Sequence, residues 1–137
     1  VDKNGKGTIA KNFVGKATIT ITSKATKNYK ATTKKVTVTV NPAGTKLTSV
    51  KNYKGKKLKA SWKKNTKGTG YQVQYSTSSK FKSAKTVTVK GYKSTSKTIT
   101  KLTKNKKYYV RVRTYKTVSK VNYYSGWSNT KSITIKK

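Results

Sequence analysis

The stretch KKYYVRVRTYK, residues 106–116, alternates bulky apolar or aromatic side chains with cations and contains no acidic residue. Successive side chains of a β-strand point to opposite faces, so this period of two predicts a strand that is half-buried in a sheet. Tyr108, Val110 and Val112 are predicted to face the core. The residues predicted to face outward are Tyr109, Arg111, Arg113 and Tyr115.

Lysine dominates the rest of the composition. The chain has 137 residues, with 35 Lys+Arg against one acidic residue, Asp2, and its formal net charge is +34. High net charge with low hydrophobicity is typical of disordered chains. The period-two placement of the apolar residues and the recurring aromatic residues instead predict a folded all-β protein, because β-branched and aromatic residues favour strands.

The inventory of reactive side chains excludes most enzyme chemistry. General acid–base catalysis uses His, paired carboxylates, or a Lys or Tyr whose pKa is shifted in a cleft. The sequence has no His, no Cys and a single carboxylate side chain. Zinc and calcium sites need ligands that this sequence lacks. We therefore expect a non-enzymatic protein with no catalytic residues, no cofactor and no metal site.

Other segments repeat the alternation of apolar residues with Thr, Lys or Gln. They are residues 16–23, 34–40, 57–62, 70–76, 85–89 and 131–137. Pro42, the only proline, ends one strand, and a new alternation begins at Leu47. We predict a first domain over residues 1–41 with about three strands, a linker over 42–45, and a second domain over 46–137 with about seven strands.

Residues 46–137 resemble a fibronectin type III domain of the kind found along Gram-positive surface proteins. The resemblance is carried, in order, by LKASW ending at Trp62, by GYQVQYS, and by LTKNKKYYVRV. In the last motif, Leu102, Tyr108, Val110 and Val112 have the family's spacing. The resemblance implies an immunoglobulin-like β-sandwich in which Tyr108 forms the tyrosine corner, a hydroxyl bonded to the backbone near the preceding loop.

Residues 1–41 resemble the C-terminal half of a bacterial Ig-like domain of the group 2 type. The resemblance is carried by the Asp-Lys-Asn-Gly turn of residues 2–5, by GKATITI, and by the final VTVTV. It implies a partial Ig-like β-sandwich segment whose first strands are missing. Those strands either precede the segment in a longer chain or come from a neighbouring copy of the protein, which would build a filament by strand exchange.

The outward side chains of residues 106–116 allow two interpretations. In one, Trp127 stacks on Arg111 or Arg113 and covers the sheet, because an Arg-x-Arg strand beside a Trp-Ser turn resembles the ladder of cytokine-receptor relatives of this fold. In the other, the surface is an aromatic and guanidinium platform for a sugar, a base or a phosphate polymer. The residues of this candidate surface are Tyr109, Arg111, Arg113, Tyr115, Trp127, Tyr123 and Tyr124, the last two in the turn before Trp127.

The two resemblances imply an extracellular protein, at a bacterial cell surface or secreted. The sequence has no apolar segment long enough to predict a membrane span. A charge of one sign attracts polyanions, so we expect anionic polymers such as teichoic acid or acidic glycans as partners. Nucleic acid should bind only non-specifically at low salt. The remaining hypotheses are a structural spacer, an adhesin for anionic glycans, and a filament subunit assembled through residues 1–41.

Overall fold

The computed structural model describes residues 8–136, which form ten β-strands and no helix. The all-β prediction is therefore confirmed for this part of the chain. The chain divides into two compact units between Asn41 and Pro42. Asp2 and the predicted turn of residues 2–5 lie outside the described residues.

The first unit contains an antiparallel pair of strands. They are β1 (Gly15–Ser23) and β2 (Thr32–Val40). The register places Ile19 opposite Val36, so alternation collects apolar side chains on one face of the pair. That face is partly open: Ile21 is 54% and Val36 38% exposed, while Ile19 and Val38 are half-buried. About three strands were predicted here; residues 8–41 form two, with an isolated bridge in the connection between them.

The second unit is a β-sandwich of two antiparallel sheets. Its strands are β3 (Leu47–Tyr53), β4 (Lys57–Trp62), β5 (Gly70–Ser76), β6 (Lys85–Lys90), β7 (Ser96–Ile99), β8 (Lys107–Val118), β9 (Val121–Tyr124) and β10 (Lys131–Thr134). One sheet has the order β3-β4-β7. The other has the order β10-β8-β5-β6, and β9 also pairs with β8. This architecture confirms the immunoglobulin-like fold class.

The core lies where the inward side chains of the two sheets meet. Leu58 on β4, Val73 on β5 and Val112 on β8 are each 0% exposed. The rings of Trp62 and Tyr71 are 5.3 Å apart between centroids, so two of the large aromatic side chains of this cluster pack directly together. Complete burial of such apolar groups stabilises a fold by about 1.5–3 kcal/mol each. The alternation visible in the sequence thus separates the core face from the solvent face of each sheet.

Two short strands differ from what the sequence pattern suggested. β7 was not identified, because its four residues SKTI carry one buried apolar side chain, Ile99. Tyr123 and Tyr124 were placed in a turn, but they belong to β9, which forms a hairpin with the long strand β8. The last edge of the sandwich is therefore divided into β9 and β10, and the second unit has eight strands.

The segment predicted as a linker, residues 42–45, is attached to the second unit. Pro42 is buried. The side-chain amide of Asn65 donates to the carbonyl of Ala43 at 2.7 Å, and the hydroxyl of Thr45 donates to the carbonyl of Lys63. These bonds connect the segment to the loop that follows β4.

Tyr108 has the geometry of a tyrosine corner. Its hydroxyl accepts a hydrogen bond from the backbone N–H of Thr103 at 3.0 Å. Leu102, which precedes that N–H, is 4% exposed and packs into the core. The bond ties the loop before β8 to the strand itself, as the fold class requires.

Candidate functional site

The segment between β9 and β10 runs along β8 and is held by two serines. Ser125 N–H donates to the Thr114 carbonyl at 2.9 Å, and its hydroxyl accepts from Thr114 N–H at 2.9 Å. Ser128 repeats this arrangement on Val112, with distances of 2.8 and 3.0 Å. In each case the hydroxyl accepts the strand N–H that a backbone carbonyl would accept in a regular ladder. Because both serines are bonded to β8, Trp127 is held over its outer face.

Trp127 forms the centre of a stack that we call the cation–π ladder (Phe81, Arg111, Trp127, Arg113 and Tyr124). The Arg111 guanidinium carbon lies 3.9 Å from the ring centroid of Phe81 and 4.6 Å from that of Trp127. The Arg113 carbon lies 4.4 Å from Trp127 and 4.1 Å from Tyr124. Each guanidinium therefore contacts two rings, well within the range over which cation–π attraction acts.

Two glutamines of β5 orient the guanidinium groups. Arg111 Nε donates to the Gln74 side-chain carbonyl at 2.8 Å. Arg113 donates to the Gln72 carbonyl from Nε at 3.0 Å and from Nη2 at 2.7 Å. The register of β5 on β8 sets Gln74 opposite Arg111 and Gln72 opposite Arg113, so each pair lies on the same outer face. These bonds use donor groups that a ligand would otherwise find free.

The electrostatics of the arginines agree with this partial enclosure. Burial lowers the pKa of Arg111, and the neighbouring charge of Arg113 lowers it further. Burial also lowers the pKa of Arg113, while Tyr124 acts in the opposite direction. Both groups remain cations at physiological pH, because an arginine does not lose its proton there. The ladder therefore holds two charges close together in a partly dehydrated layer.

Tyr115 lies on the outer face, as predicted, but it is only 6% exposed. It pairs with Gly70 of β5, and a Cβ on Gly70 would lie 2.8 Å from atoms of the tyrosine ring. The ring thus covers a position where the neighbouring strand has no side chain. Its centroid is 6.3 Å from that of Tyr124, so it extends the cation–π ladder as a buried element and offers little surface to a ligand.

Tyr109 and Tyr123 are outside the ladder. Tyr109 is half-buried and has the ammonium of Lys107 5.5 Å from its ring centroid. Tyr123 pairs with Lys116, whereas Tyr124 pairs with Tyr115, so the two consecutive tyrosines lie on opposite faces of the hairpin. The structure therefore brings together four of the seven candidate residues in the ladder, with Tyr115 adjoining them.

Three residues that contact the arginines were not identified from the sequence: Phe81, Gln72 and Gln74. Phe81 lies in the loop between β5 and β6 and has a positive φ of 55°, so no strand pattern includes it. The sequence signal for the two glutamines is the Gln-x-Gln spacing in β5, which matches the Arg-x-Arg spacing in β8. It identifies partners only once the register of the two strands is known.

An open cavity of about 380 Å³ lies beside the end of the ladder. Tyr115, Tyr124 and Gln72 contribute to its wall, together with Lys90 and Asn122. Its volume falls within the usual range for small-molecule sites, about 300–1,000 Å³. The half-buried ring of Tyr124, beside these amide and ammonium groups, could contact a sugar ring and its hydroxyl groups.

The fold and this surface define an immunoglobulin-like sandwich with a cation–π ladder on one sheet. The model of the fibronectin type III domain family matches residues 42–131, and the chain belongs to that family. The match includes residues 42–45 and does not extend to residues 1–41. No sequence among curated proteins matches the chain.

Solved structures show the same fold at low sequence identity. The solution structure of the fn3 domain of human contactin 1 has a TM-score of 0.55 and 16% identity, over 72% of this chain and 82% of that one. A myokine structure has a TM-score of 0.55 and 14% identity, over 72% of this chain and 100% of that one. The structure of the FN1–FN3 domains of chicken CNTN1 has a TM-score of 0.58 and 20% identity, over 93% of this chain and 44% of that one.

Family membership establishes the general class of function. Fibronectin type III domains are structural, spacer and binding modules, generally without enzyme activity and typically extracellular. Among residues 8–136, no helix is long and apolar enough to cross a membrane. The particular role must come from the surface of this chain, because a fold alone does not define a function.

Proposed function

We propose that the chain is a non-enzymatic, extracellular spacer module of a bacterial cell-surface protein, which associates through its charge with anionic polymers of the teichoic-acid type. One observation carries the proposal. Within residues 8–136 every lysine is exposed except Lys116, which is half-buried, and the whole sequence has one acidic residue, Asp2. The field around the protein is therefore of one sign and is not neutralised by its own side chains.

Lysine is suited to a mobile and repetitive polyanion. Its ammonium is a compact charge on a flexible stem, while base reading in nucleic acids depends heavily on the arginine fork. The two arginines contact rings and glutamines in the cation–π ladder, so the exposed cations of residues 8–136 are lysines. Because no arginine fork is available to read bases, binding to nucleic acid would follow charge alone and recognise no sequence. This favours wall polymers over nucleic acid as the partner.

Residues 1–41 fit the proposal as part of a bacterial Ig-like domain. The apolar face of β1 and β2 leaves Ile21 and Val36 exposed, which supports the idea that further strands cover it. An isolated pair of strands is only marginally stable in water. In a spacer those strands belong to the same parent chain. In the filament alternative they come from a neighbouring copy, and the molecular weight in solution distinguishes the two.

Binding to isolated cell walls tests the proposed function. We expect the protein to sediment with Gram-positive walls at a salt concentration of about 0.15 M, and to be released as screening increases. Walls from which teichoic acid has been extracted are the matched control, and they should retain much less protein. Equal binding to both wall preparations would contradict an association with teichoic acid.

An adhesin that binds anionic glycans is the second candidate, and the cavity beside Tyr115 and Tyr124 favours it. A glycan array at physiological salt separates the two functions. A few strong hits that persist when salt is raised would support the adhesin. Uniform, salt-sensitive binding to all acidic glycans would support attraction by charge alone.

A further inference from the structure

The outer face of the sheet β3-β4-β7 differs from the face that holds the cation–π ladder. On β4 the burial alternates, with Leu58 and Ala60 in the core and Lys57 and Lys59 outside. The register then sets Lys51 of β3 opposite Lys59. The same register places further side chains on this outer face. We call the resulting surface the lysine face (Lys51, Tyr53, Lys57, Lys59 and Thr98).

Lysine is concentrated in the segment that builds this face. Residues 51–59, KNYKGKKLK, contain five lysines in nine residues. The turn between β3 and β4 has positive φ angles at Gly55 (81°) and Lys56 (55°), so β4 returns tightly along β3. An open depression of about 430 Å³ lies on the lysine face. Its walls are Tyr53, Lys54, Lys57, Lys59 and Thr98.

Lys51 and Lys59 form a directly opposed pair of like charges. Side chains in this relation have Cβ atoms about 4.5–5.5 Å apart, and like charges so placed destabilise a sheet. Residues 8–136 contain no acidic side chain, so none of them can neutralise the pair. On the other sheet, aromatic rings and glutamines occupy the space around the arginines. An anion between Lys51 and Lys59 would remove the repulsion that the lysine face retains.

Tyr53 adds an apolar surface to this positive field. Its side chain is 47% exposed, whereas the other aromatic side chains of residues 42–136 are buried or half-buried. It lies directly opposite Lys57. An exposed ring beside ammonium groups can contact the C–H groups of a polyol or sugar while the lysines contact its anionic groups.

We propose that the lysine face is the polymer-binding surface of the protein, and that its ligand is a linear polyanion whose phosphates are joined by short polyol or sugar units. A phosphate lies between Lys51 and Lys59, and the connecting polyol or sugar lies against Tyr53. This inference rests on the proposed function, because it assigns the attraction for anionic polymers to one surface. The polymer-binding surface is then distinct from the cation–π ladder, which lies on the other sheet.

Two triple variants with the same net charge test this assignment. Lys51→Gln, Lys57→Gln and Lys59→Gln together remove three charges from the lysine face. Lys80→Gln, Lys104→Gln and Lys131→Gln remove three exposed charges elsewhere on the second unit. Each variant has a formal net charge of +31, which is 34 minus 3. Their affinities for purified poly(glycerol phosphate) are measured by calorimetry at several salt concentrations.

We expect the lysine-face variant to lose about 10-fold or more in affinity at physiological salt and the control variant about 3-fold or less, because only the first removes contacts. The slope of log affinity against log salt should fall by about 2 in the lysine-face variant, by analogy with phosphate contacts in nucleic acids. Arginine at the same three positions keeps the charge and should restore most of the binding. Circular dichroism establishes that each variant is folded.

Tyr53→Ala separates the polyol or sugar contact from the charge. We expect it to weaken binding to poly(glycerol phosphate) about 3-fold and to leave binding to inorganic polyphosphate, which has no polyol, unchanged. Equal losses in the two triple variants would overturn the lysine face while leaving the proposed function intact. No binding of the unmodified protein at physiological salt would overturn both. Equal weakening of both polymers by Tyr53→Ala would overturn the polyol contact.

Discussion

The two outer faces of the sandwich are both cationic, but their structures differ. On the sheet that contains β8, Arg111 and Arg113 alternate with aromatic rings and are bonded to Gln74 and Gln72. On the sheet that contains β4, Lys51 and Lys59 oppose each other beside an exposed Tyr53. The first face is packed by its own side chains, and the second is open to solvent.

The difference follows from the shapes of the two cations. A guanidinium is planar, weakly hydrated and able to stack between rings while its edge donates hydrogen bonds. An ammonium is strongly hydrated and has no flat surface to place against a ring. Arginine can therefore form part of a packed layer, whereas lysine remains free to meet an external anion. Positive charge alone does not distinguish a structural surface from a binding surface.

Removing the central ring of the cation–π ladder should have the largest effect. Trp127→Ala takes away the ring that both arginines share, and we expect it to lower the free energy of unfolding by about 3 kcal/mol. Chemical denaturation followed by circular dichroism measures this change. Tyr53→Ala is the matched control on the open face, and its effect should stay within about 0.5 kcal/mol.

The same variant separates the two interpretations of the candidate surface. A large loss of stability supports a structural ladder. Unchanged stability together with lost binding to anionic glycans would instead show that Trp127 belongs to a ligand platform, and the contrast between the two faces would no longer hold.

Replacing the cations of the ladder without changing their charge should have an intermediate effect. Arg111→Lys with Arg113→Lys keeps the net charge but loses the stacking and the fork that bonds Gln72. We expect a loss of about 1–2 kcal/mol in the free energy of unfolding. Unfolding in denaturant with equal ionic strength provides the measurement. A variant as stable as the original protein would show that charge, and not guanidinium shape, maintains this face.

Relieving the opposed pair on the lysine face should have the smallest effect, and in the opposite direction. Lys59→Thr removes the repulsion from Lys51 and places threonine beside Thr98, so we expect a gain of about 0.5 kcal/mol. The gain should shrink as salt screens the charges, which thermal unfolding at two salt concentrations can detect. Lys97→Thr removes the same charge opposite Ala60 and serves as the control. An equal gain in both variants would show that the effect comes from net charge and not from the Lys51–Lys59 pair.

Much of the second unit could be predicted from the spacing of its side chains. The bounds of β4 and β5 coincide with the predicted segments 57–62 and 70–76, because their alternation of core and solvent residues is regular. Short or polar strands escaped detection, since β7 and β9 bury few side chains. Alternation identifies which face a residue occupies, but it does not identify which residue lies beside it on the next strand.

The candidate surface illustrates that limit. One of the two interpretations placed Trp127 on Arg111 or Arg113, and its ring contacts both. Tyr115 was placed on the outer face without any indication that Gly70 would leave room for its ring to become buried. Tyr123 shares a strand with Tyr124 yet lies on the opposite face. Each of these outcomes depends on the pairing of strands that are distant in the sequence.

The sequence by itself determined the class of structure, because period-two alternation predicts strands with a defined inward face and the motif around Tyr108 resembles that of the fibronectin type III sandwich. It also determined the sign of the field, since one acidic residue cannot offset 35 bases. Only the tertiary structure decided how those bases are used. The register between β5 and β8 brings arginines to glutamines, and the register between β3 and β4 brings lysines to lysines. Local patterns cannot specify such contacts, because they are made between strands that approach each other only in the folded chain.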